Sequence, residues 1–295
     1  MTGRALFRDY WDAVGRAPRA HRGRGELLIS ATLAGGAGGI GARKVQVYLP
    51  AGYHDGRDRF PVLLLNDGQN LFDEATSYAG SWHAEAALDR LQDLGRPVIA
   101  VGIPNAGMRR IFEYAPFRDR RYGGGGGEAY LAWLSGRVLP LVARNFRVAA
   151  GRETTALAGA SMGGLISLYA AVKHPDRFGL AGAMSPSLFF GDEAMLRVLA
   201  TDPAPHGRIY LDIGTLEGRR PVRRRRSTPK PPPKSPSGGM KRLRKVRRRL
   251  EKLGFKCGVD LAWSEEPGGR HDEAAWSRRL PEMLQFLFLP ETPLK

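Results

Sequence analysis

The stretch Thr154-Thr155-Ala156-Leu157-Ala158-Gly159-Ala160-Ser161-Met162-Gly163-Gly164 decides the reading of this chain. An apolar run leads into the pattern Gly-x-Ser-x-Gly at 159–163, and a helical pattern, Met162–Lys173, leads out of it. A serine at such a junction stands on a sharp turn that exposes its hydroxyl at the carboxyl edge of a sheet. Glycine at 159, 163 and 164 leaves room for close approach around that turn. The chain has 38 glycines in 295 residues, so the motif alone is weak and its neighbours must carry the argument.

Upstream, residues 27–33 and 44–49 read as strands joined by a Gly-rich turn, which predicts an antiparallel hairpin. Phe60-Pro61-Val62-Leu63-Leu64-Leu65 and Pro97-Val98-Ile99-Ala100-Val101-Gly102 are short, continuously apolar runs, as expected of buried parallel strands. Further strands are predicted at 179–184, 208–213 and 259–263. Helices are predicted at 81–93 with Ser81 as N-cap, and at 129–144, 193–200, 240–253 and 273–288. This alternation predicts an α/β fold: a mostly parallel, doubly wound sheet with an N-terminal antiparallel hairpin. No linker splits the body, so residues 26–295 are expected to form one domain behind an N-terminal extension, 1–25.

A hydrophobic content of 42% excludes a wholly disordered chain. No run of 18 apolar residues exists, so no membrane span is expected. The Arg-rich start lacks the apolar segment of a secretory signal, and the cytoplasm is the expected compartment. Cys257 is the single cysteine, which excludes an internal disulfide and a cysteine-based zinc site.

The net charge of +17 is not spread evenly. From Arg219 to Lys252 there are 16 Lys and Arg against Glu251 alone, a net +15, and the remaining 30 basic and 28 acidic residues leave +2. Residues 219–239 combine the run Arg223–Arg226 with Pro229, Pro231, Pro232, Pro233 and Pro236, so they are read as a disordered basic insertion. Leu243, Val246, Leu250 and Leu253 then form a stripe on a helix whose other face is basic. Weak contact with nucleic acid or another polyanion through Arg219 to Lys252 is the expectation for this segment.

A nucleophilic serine needs a base, and the base needs an orienting acid. In α/β-hydrolases the chain order is serine, acid, histidine. His174 lies at the far end of the nucleophile's own helix, and His206 precedes a strand at its amino end. His271 follows the last strand in a carboxyl-edge loop and is the expected base. Glu217 follows the strand 208–213 and is the expected acid, with Asp212, inside that strand, as its rival. The oxyanion hole needs two backbone N–H donors, expected from Met162 and Gln69. Trp82, Tyr114 and Phe189 are the candidate substrate contacts, with Phe190 beside them.

These pieces together resemble the putative-esterase family of α/β-hydrolases, the enterochelin-esterase-like, feruloyl and acetyl-xylan esterases. The resemblance rests on Asn66-Asp67-Gly68-Gln69-Asn70-Leu71-Phe72-Asp73 and on Gly102-Ile103-Pro104-Asn105 with Arg109-Arg110 and Glu113-Tyr114. It continues through Gly159–Leu165, Met184-Ser185-Pro186-Ser187, Gly214-Thr215-Leu216-Glu217-Gly218 and His271-Asp272-Glu273-Ala274-Ala275-Trp276. It implies a Ser-Glu/Asp-His carboxylesterase acting on a small-molecule ester, with no metal and no cofactor. Acyl transfer on the same triad, or a polyanion-binding protein with a vestigial hydrolase core, are the alternatives. The basic insertion after Glu217 departs from the family pattern. Gly36–Gly41 matches Gly-x-Gly-x-x-Gly but leads into a strand, so it reads as a hairpin turn. Gly123–Gly127 lacks the ending of a phosphate loop and reads as a flexible loop near the site mouth. His83, Asp67 and Asp73 match no metal-ligand spacing.

Overall fold

The computed structural model describes residues 11–13, 23–201, 206–218 and 236–289. Its main sheet has nine strands: β1 (Trp11–Ala13), β2 (Glu26–Ser30), β3 (Gln46–Leu49), β4 (Val62–Asn66), β5 (Ile99–Ile103), β6 (Thr155–Ala160), β7 (Leu180–Met184), β8 (Arg208–Gly214) and β9 (Leu261–Glu266). Their spatial order is β1-β2-β3-β5-β4-β6-β7-β8-β9. The strands from β5 to β9 in that order are all parallel, whereas β1, β2 and β3 join antiparallel. The expected hairpin is therefore present, and it docks on β5 through Val47 opposite Val101.

Side-chain alternation along the buried strands builds a core on each face. On β4, Val62 and Leu64 join one cluster while Leu63 and Leu65 join the other. The second cluster is covered by α1 (Ala84–Asp93) through Leu88 and Leu91. A long helix, α2, runs over residues 127–145 on the first face and contains a π-helical stretch, Leu134–Val138. The first face is also covered by α3 (Met162–Lys173), α4 (Phe190–Thr201) and α5 (Gly238–Lys252). The last helix, α6 (Glu273–Phe288), joins α1 on the second face. The stripe read from the sequence is the packing face of α5, since Leu243, Val246 and Leu250 are all buried.

Several boundaries differ from the sequence expectation for physical reasons. Residues 11–13 of the expected N-terminal extension form an edge strand paired with β2, and Trp11 packs edge-on against Phe146 in the core. Ser81 does not cap α1. Its hydroxyl accepts from the His83 N–H and donates to the Leu71 carbonyl, and the helix starts three residues later. The last strand begins at Leu261, because Val259 is exposed in the turn before it. Gly123–Gly124 pairs with Arg118–Asp119 as a small hairpin. Residues 219–235 of the basic insertion lie outside the described residues, and α5 starts beyond them with Ser237 as its N-cap. Among the described residues no helix is long and apolar enough to cross a membrane.

The strand order fixes where a site can form. From β4 the chain moves to β5 on one side and then to β6 on the other. The loops leaving β4 and β6 diverge, opening a crevice at the carboxyl ends of adjacent strands.

Candidate active site

Ser161 ends β6 in a conformation that L-residues rarely adopt, φ 59° and ψ −118°. The turn is held by its own backbone. Ser161 N–H donates to the Met184 carbonyl at 3.0 Å, and its carbonyl accepts from Leu165 and Ser187, each at 3.0 Å. The flanking glycines are required by space, since a Cβ on Gly164 would lie 2.8 Å from the Met184 oxygen. A Cβ on Gly159 or Gly163 would lie 2.9 or 3.0 Å from Cβ of Asn66. Asn66 is fully buried and fastens the two crevice walls together. Its Nδ2 sits 3.2 Å from the Ala158 and Gly163 carbonyls and from Ser167 Oγ, and its Oδ1 accepts from Tyr130 at 2.7 Å.

His271 lies between β9 and α6, one residue before the N-cap Asp272. Its Nε2 is 2.9 Å from Ser161 Oγ and its Nδ1 is 2.8 Å from Glu217 Oε2. The ring stands edge-on to Trp276, with centroids 5.0 Å apart. Glu217 is buried, and its other oxygen accepts from Gly214 N–H at 2.7 Å and from the Ser185 hydroxyl at 2.5 Å. Three residues far apart in sequence thus form one hydrogen-bonded line.

Asp212 lies behind this line, and the acid in contact with His271 is Glu217. Asp212 accepts from Ser185 N–H at 2.9 Å and faces the Arg279 guanidinium at 3.1 Å. Burial pushes its carboxyl up to about 7, while Arg279 and the Ser185 N–H pull the other way. Arg279 also donates to Ser185 Oγ at 2.8 Å and to Glu266 at 3.1 Å.

Met162 is the first residue of α3, where the N–H has no intrahelical acceptor. Gln69 lies in the single turn Gly68–Asn70 that follows β4. Gly68 presses this turn onto β5, where a Cβ would come within 2.5 Å of the Gly102–Ile103 peptide. Asp67, in the left-handed region at φ 59°, anchors the turn. Its carboxylate takes two bonds from Arg110, at 2.7 and 2.8 Å, and one from Asn105 at 2.7 Å. The Gln69 side chain accepts from Asn105 N–H at 3.0 Å.

The expected substrate contacts divide. Tyr114 is 0% exposed and accepts the Asp67 N–H at 3.0 Å, and Trp82 is 2% exposed and packs 6.0 Å from Trp276. Both therefore sit beneath the site, supporting its loops, instead of lining an open pocket. Phe189 is 47% exposed and stands 6.1 Å from the half-exposed Tyr122. It follows Ser187, whose hydroxyl is 3.2 Å from Ser161 Oγ. Ser185, Ser187, Trp276, Asn66 and Arg279 were not read as site residues from the sequence. The first four lie inside the motifs quoted above, whereas Arg279, three residues beyond Trp276 on α6, carries no motif signal. Among the described residues no group of three or more His, Cys, Asp or Glu is placed to hold a metal ion.

Ser161, His271 and Glu217 thus meet at the carboxyl edge of a mostly parallel α/β sheet, and the family comparison places the chain among esterases. The family described as Putative esterase matches residues 41–287, and the chain belongs to it. The uncharacterized protein YbbA of Bacillus subtilis is 27% identical over 254 residues, 84% of this chain and 93% of that protein. The siderophore triacetylfusarinine C esterase of Aspergillus fumigatus is 33% identical over 162 residues, 52% of this chain and 53% of that protein. The iron(III) salmochelin esterase of Escherichia coli is 28% identical over 210 residues, 66% of this chain and 46% of that protein. The chain thus spans about half the length of these two siderophore esterases. In fold it is similar to the enterobactin esterase FES of Shigella flexneri, with a TM-score of 0.70 at 20% identity, covering 94% of this chain and 62% of that one. It is also similar to siderophore hydrolase EstA of Aspergillus nidulans, with a TM-score of 0.62 at 24% identity, covering 94% and 96%.

Proposed function

We propose that this chain is a serine carboxylesterase working through an acyl-enzyme. The observation that carries the reading is the line Ser161–His271–Glu217, with both links below 3.0 Å. Ser161 Oγ attacks the ester carbonyl as His271 Nε2 takes its proton. The negative charge on the tetrahedral oxygen is held by the N–H groups of Met162 and Gln69. Glu217 keeps the Nδ1 proton directed at itself, so Nε2 is the free base, and it stabilises the imidazolium that forms. The C–O bond then breaks, and His271 returns its proton to the leaving alcohol. A water deprotonated by His271 attacks the acyl-serine, releases the acid and restores Ser161.

For the acyl group we propose an aryl or similarly apolar acid, resting on Phe189 and Tyr122. The exposure of this pair next to Ser187 supports that choice. The test is turnover of p-nitrophenyl acetate and of a panel of short-chain, feruloyl and catecholate esters by the wild type and by Ser161→Ala. Loss of a triad nucleophile is expected to lower kcat by roughly 10⁴- to 10⁶-fold. Equal turnover by the two proteins would overturn the reading. A preference for short aliphatic over aryl esters would overturn the acyl assignment alone.

We also infer that the segment from Arg219 to Lys252 contacts polyanions, because it carries nearly all of the chain's excess charge.

A further inference from the structure

The triad occupies the carboxyl edge of the sheet. The opposite edge holds a cavity of about 520 Å³, formed where the chain enters β4, β5, β6, β7 and β8. Phe60, Leu287 and Phe288 give it apolar walls. Four arginines, Arg59, Arg96, Arg152 and Arg208, line it against two carboxylates, Asp58 and Glu153. Arg59 spends a nitrogen on the Val148 carbonyl, and Arg152 spends one on the Pro175 and His206 carbonyls. Arg96 has no carboxylate partner among the described residues.

Arg208 is the unusual member. All three of its guanidinium nitrogens are shielded from solvent and make no hydrogen bond. The group lies over the Phe286 ring, 4.4 Å from its centroid, and burial lowers its pKa. A guanidinium stripped of water is costly unless an acceptor replaces that water. Among the described residues none is hydrogen-bonded to it, with Asp260 acting on it through charge alone, although the side chain borders a cavity with room for an acceptor. Arginine's planar fork matches a carboxylate with two parallel bonds, and such a ligand would require the flexible stem to rotate the fork from Phe286 toward the cavity.

We propose that this amino-edge cavity is a second ligand site that takes a small organic acid as its anion. The carboxylate pairs with Arg208, Arg96 at the mouth adds attraction, and the apolar body of the acid rests on Phe60, Leu287 and Phe288. The site is independent of the triad, which lies at the other end of the strands.

Thermal unfolding of the full chain tests this with benzoate as the carboxylate probe, benzamide as its neutral counterpart and inorganic phosphate as a bare anion. At ten times its Kd, benzoate is expected to raise the midpoint by about 3 °C. Benzamide and phosphate are expected to give less than a third of that shift. Arg208→Met is expected to abolish the benzoate response. Arg96→Glu changes an exposed residue, leaves the core intact, and is expected to weaken benzoate binding about tenfold. Benzoate is also a product-like acid for the esterase site, and binding there is untouched by either variant. A benzoate shift that persists undiminished in both variants would therefore overturn the amino-edge site. So would an equal response to benzamide, which removes the role of charge, or to phosphate, which removes that of the apolar wall.

Discussion

Arg279 Nε and the Asp212 carboxylate lie 3.1 Å apart in the interior, with side chains only 4% and 0% exposed. The same guanidinium reaches Glu266 at 3.1 Å and Glu217 at 3.6 Å. One buried cation thus serves three carboxylates, and one of these is the acid that holds His271. The arrangement supports Glu217 from behind through charge, and through the Ser185 hydroxyl that Arg279, Trp276 and Glu217 share.

Arg279→Met is expected to destabilise the fold by about 3 to 5 kcal/mol, because it leaves buried carboxylates without their counter-charge. The loss should be larger at pH 8 than at pH 5, since proton uptake by Asp212 relieves the repulsion at the lower pH. Urea unfolding at the two pH values measures it. Equal losses at both would count against a role for the guanidinium in charge compensation.

The two acids are expected to separate cleanly. Glu217→Gln cannot hold the required imidazole tautomer and should lower kcat on the order of 10³- to 10⁴-fold. Asp212→Asn should leave kcat within a few-fold and change stability instead. The Asp212 pKa is about 7 in the folded chain against 3.8 ordinarily, so between those values the folded chain keeps a proton that the unfolded chain has released. Wild-type stability therefore falls as pH rises through this window. Asp212→Asn should flatten that decline by a few kcal/mol, read from urea midpoints between about pH 4 and 7. Loss of activity in Asp212→Asn with activity retained in Glu217→Gln would reverse the assignment.

The sheet was legible because β4, β5 and β6 are unbroken apolar runs, which have few alternatives to buried parallel strands. The proximity of Ser161, His271 and Glu217 has a topological reason that sequence can express: each follows a strand at the same edge of the sheet. What was hidden lies in tertiary contacts. Trp82 and Tyr114 occupy carboxyl-edge segments, but sequence does not tell which way a side chain turns, and both turn inward. Trp11 sits in an Arg-rich extension with no strand pattern, and only the pairing of residues 11–13 with β2 places it. Arg279 lies beside the exposed Arg278 on its helix, so nothing in the sequence singles it out, and its burial follows from three carboxylates that arrive from β8, β9 and the loop after β8.

The turn at Ser161 trades stability for geometry. Ser161 is held at φ 59° and ψ −118°, where a Cβ is costly. Ser161→Gly should raise stability by about 1 kcal/mol by removing that cost, while abolishing ester hydrolysis. Ser161→Ala keeps the Cβ and should change stability by less than about 0.5 kcal/mol. Urea midpoints for the two variants distinguish the cases, and a glycine variant less stable than wild type would mean that the turn is not strained.

The charge of the basic segment divides between its two parts. Residues 219–239 and the helix after them carry eight Lys and Arg each. On α5 four of the eight are already matched by carboxylates. Arg242 and Lys245 pair with Glu193, Arg244 pairs with Glu265, and Arg247 pairs with Glu251. The matched half offers little attraction to a polyanion, so binding is expected to depend on the insertion. If about six of its charges meet phosphates, log K for duplex DNA should fall with log[salt] at a slope near −5. Replacing residues 219–235 with a Gly/Ser linker of equal length removes all eight of those cations and leaves the α5 pairs in place. The slope should then shrink to about −1, and DNA retention at low salt should be lost. kcat/KM for a small neutral ester should stay within a few-fold, because Ser161, Glu217 and His271 lie outside the replaced stretch. Fluorescence anisotropy across a salt series reads the first outcome and ester turnover the second. Equal slopes for the two proteins would move the polyanion contact onto the helix or remove it, and a collapse of turnover would tie the insertion to the placement of Glu217.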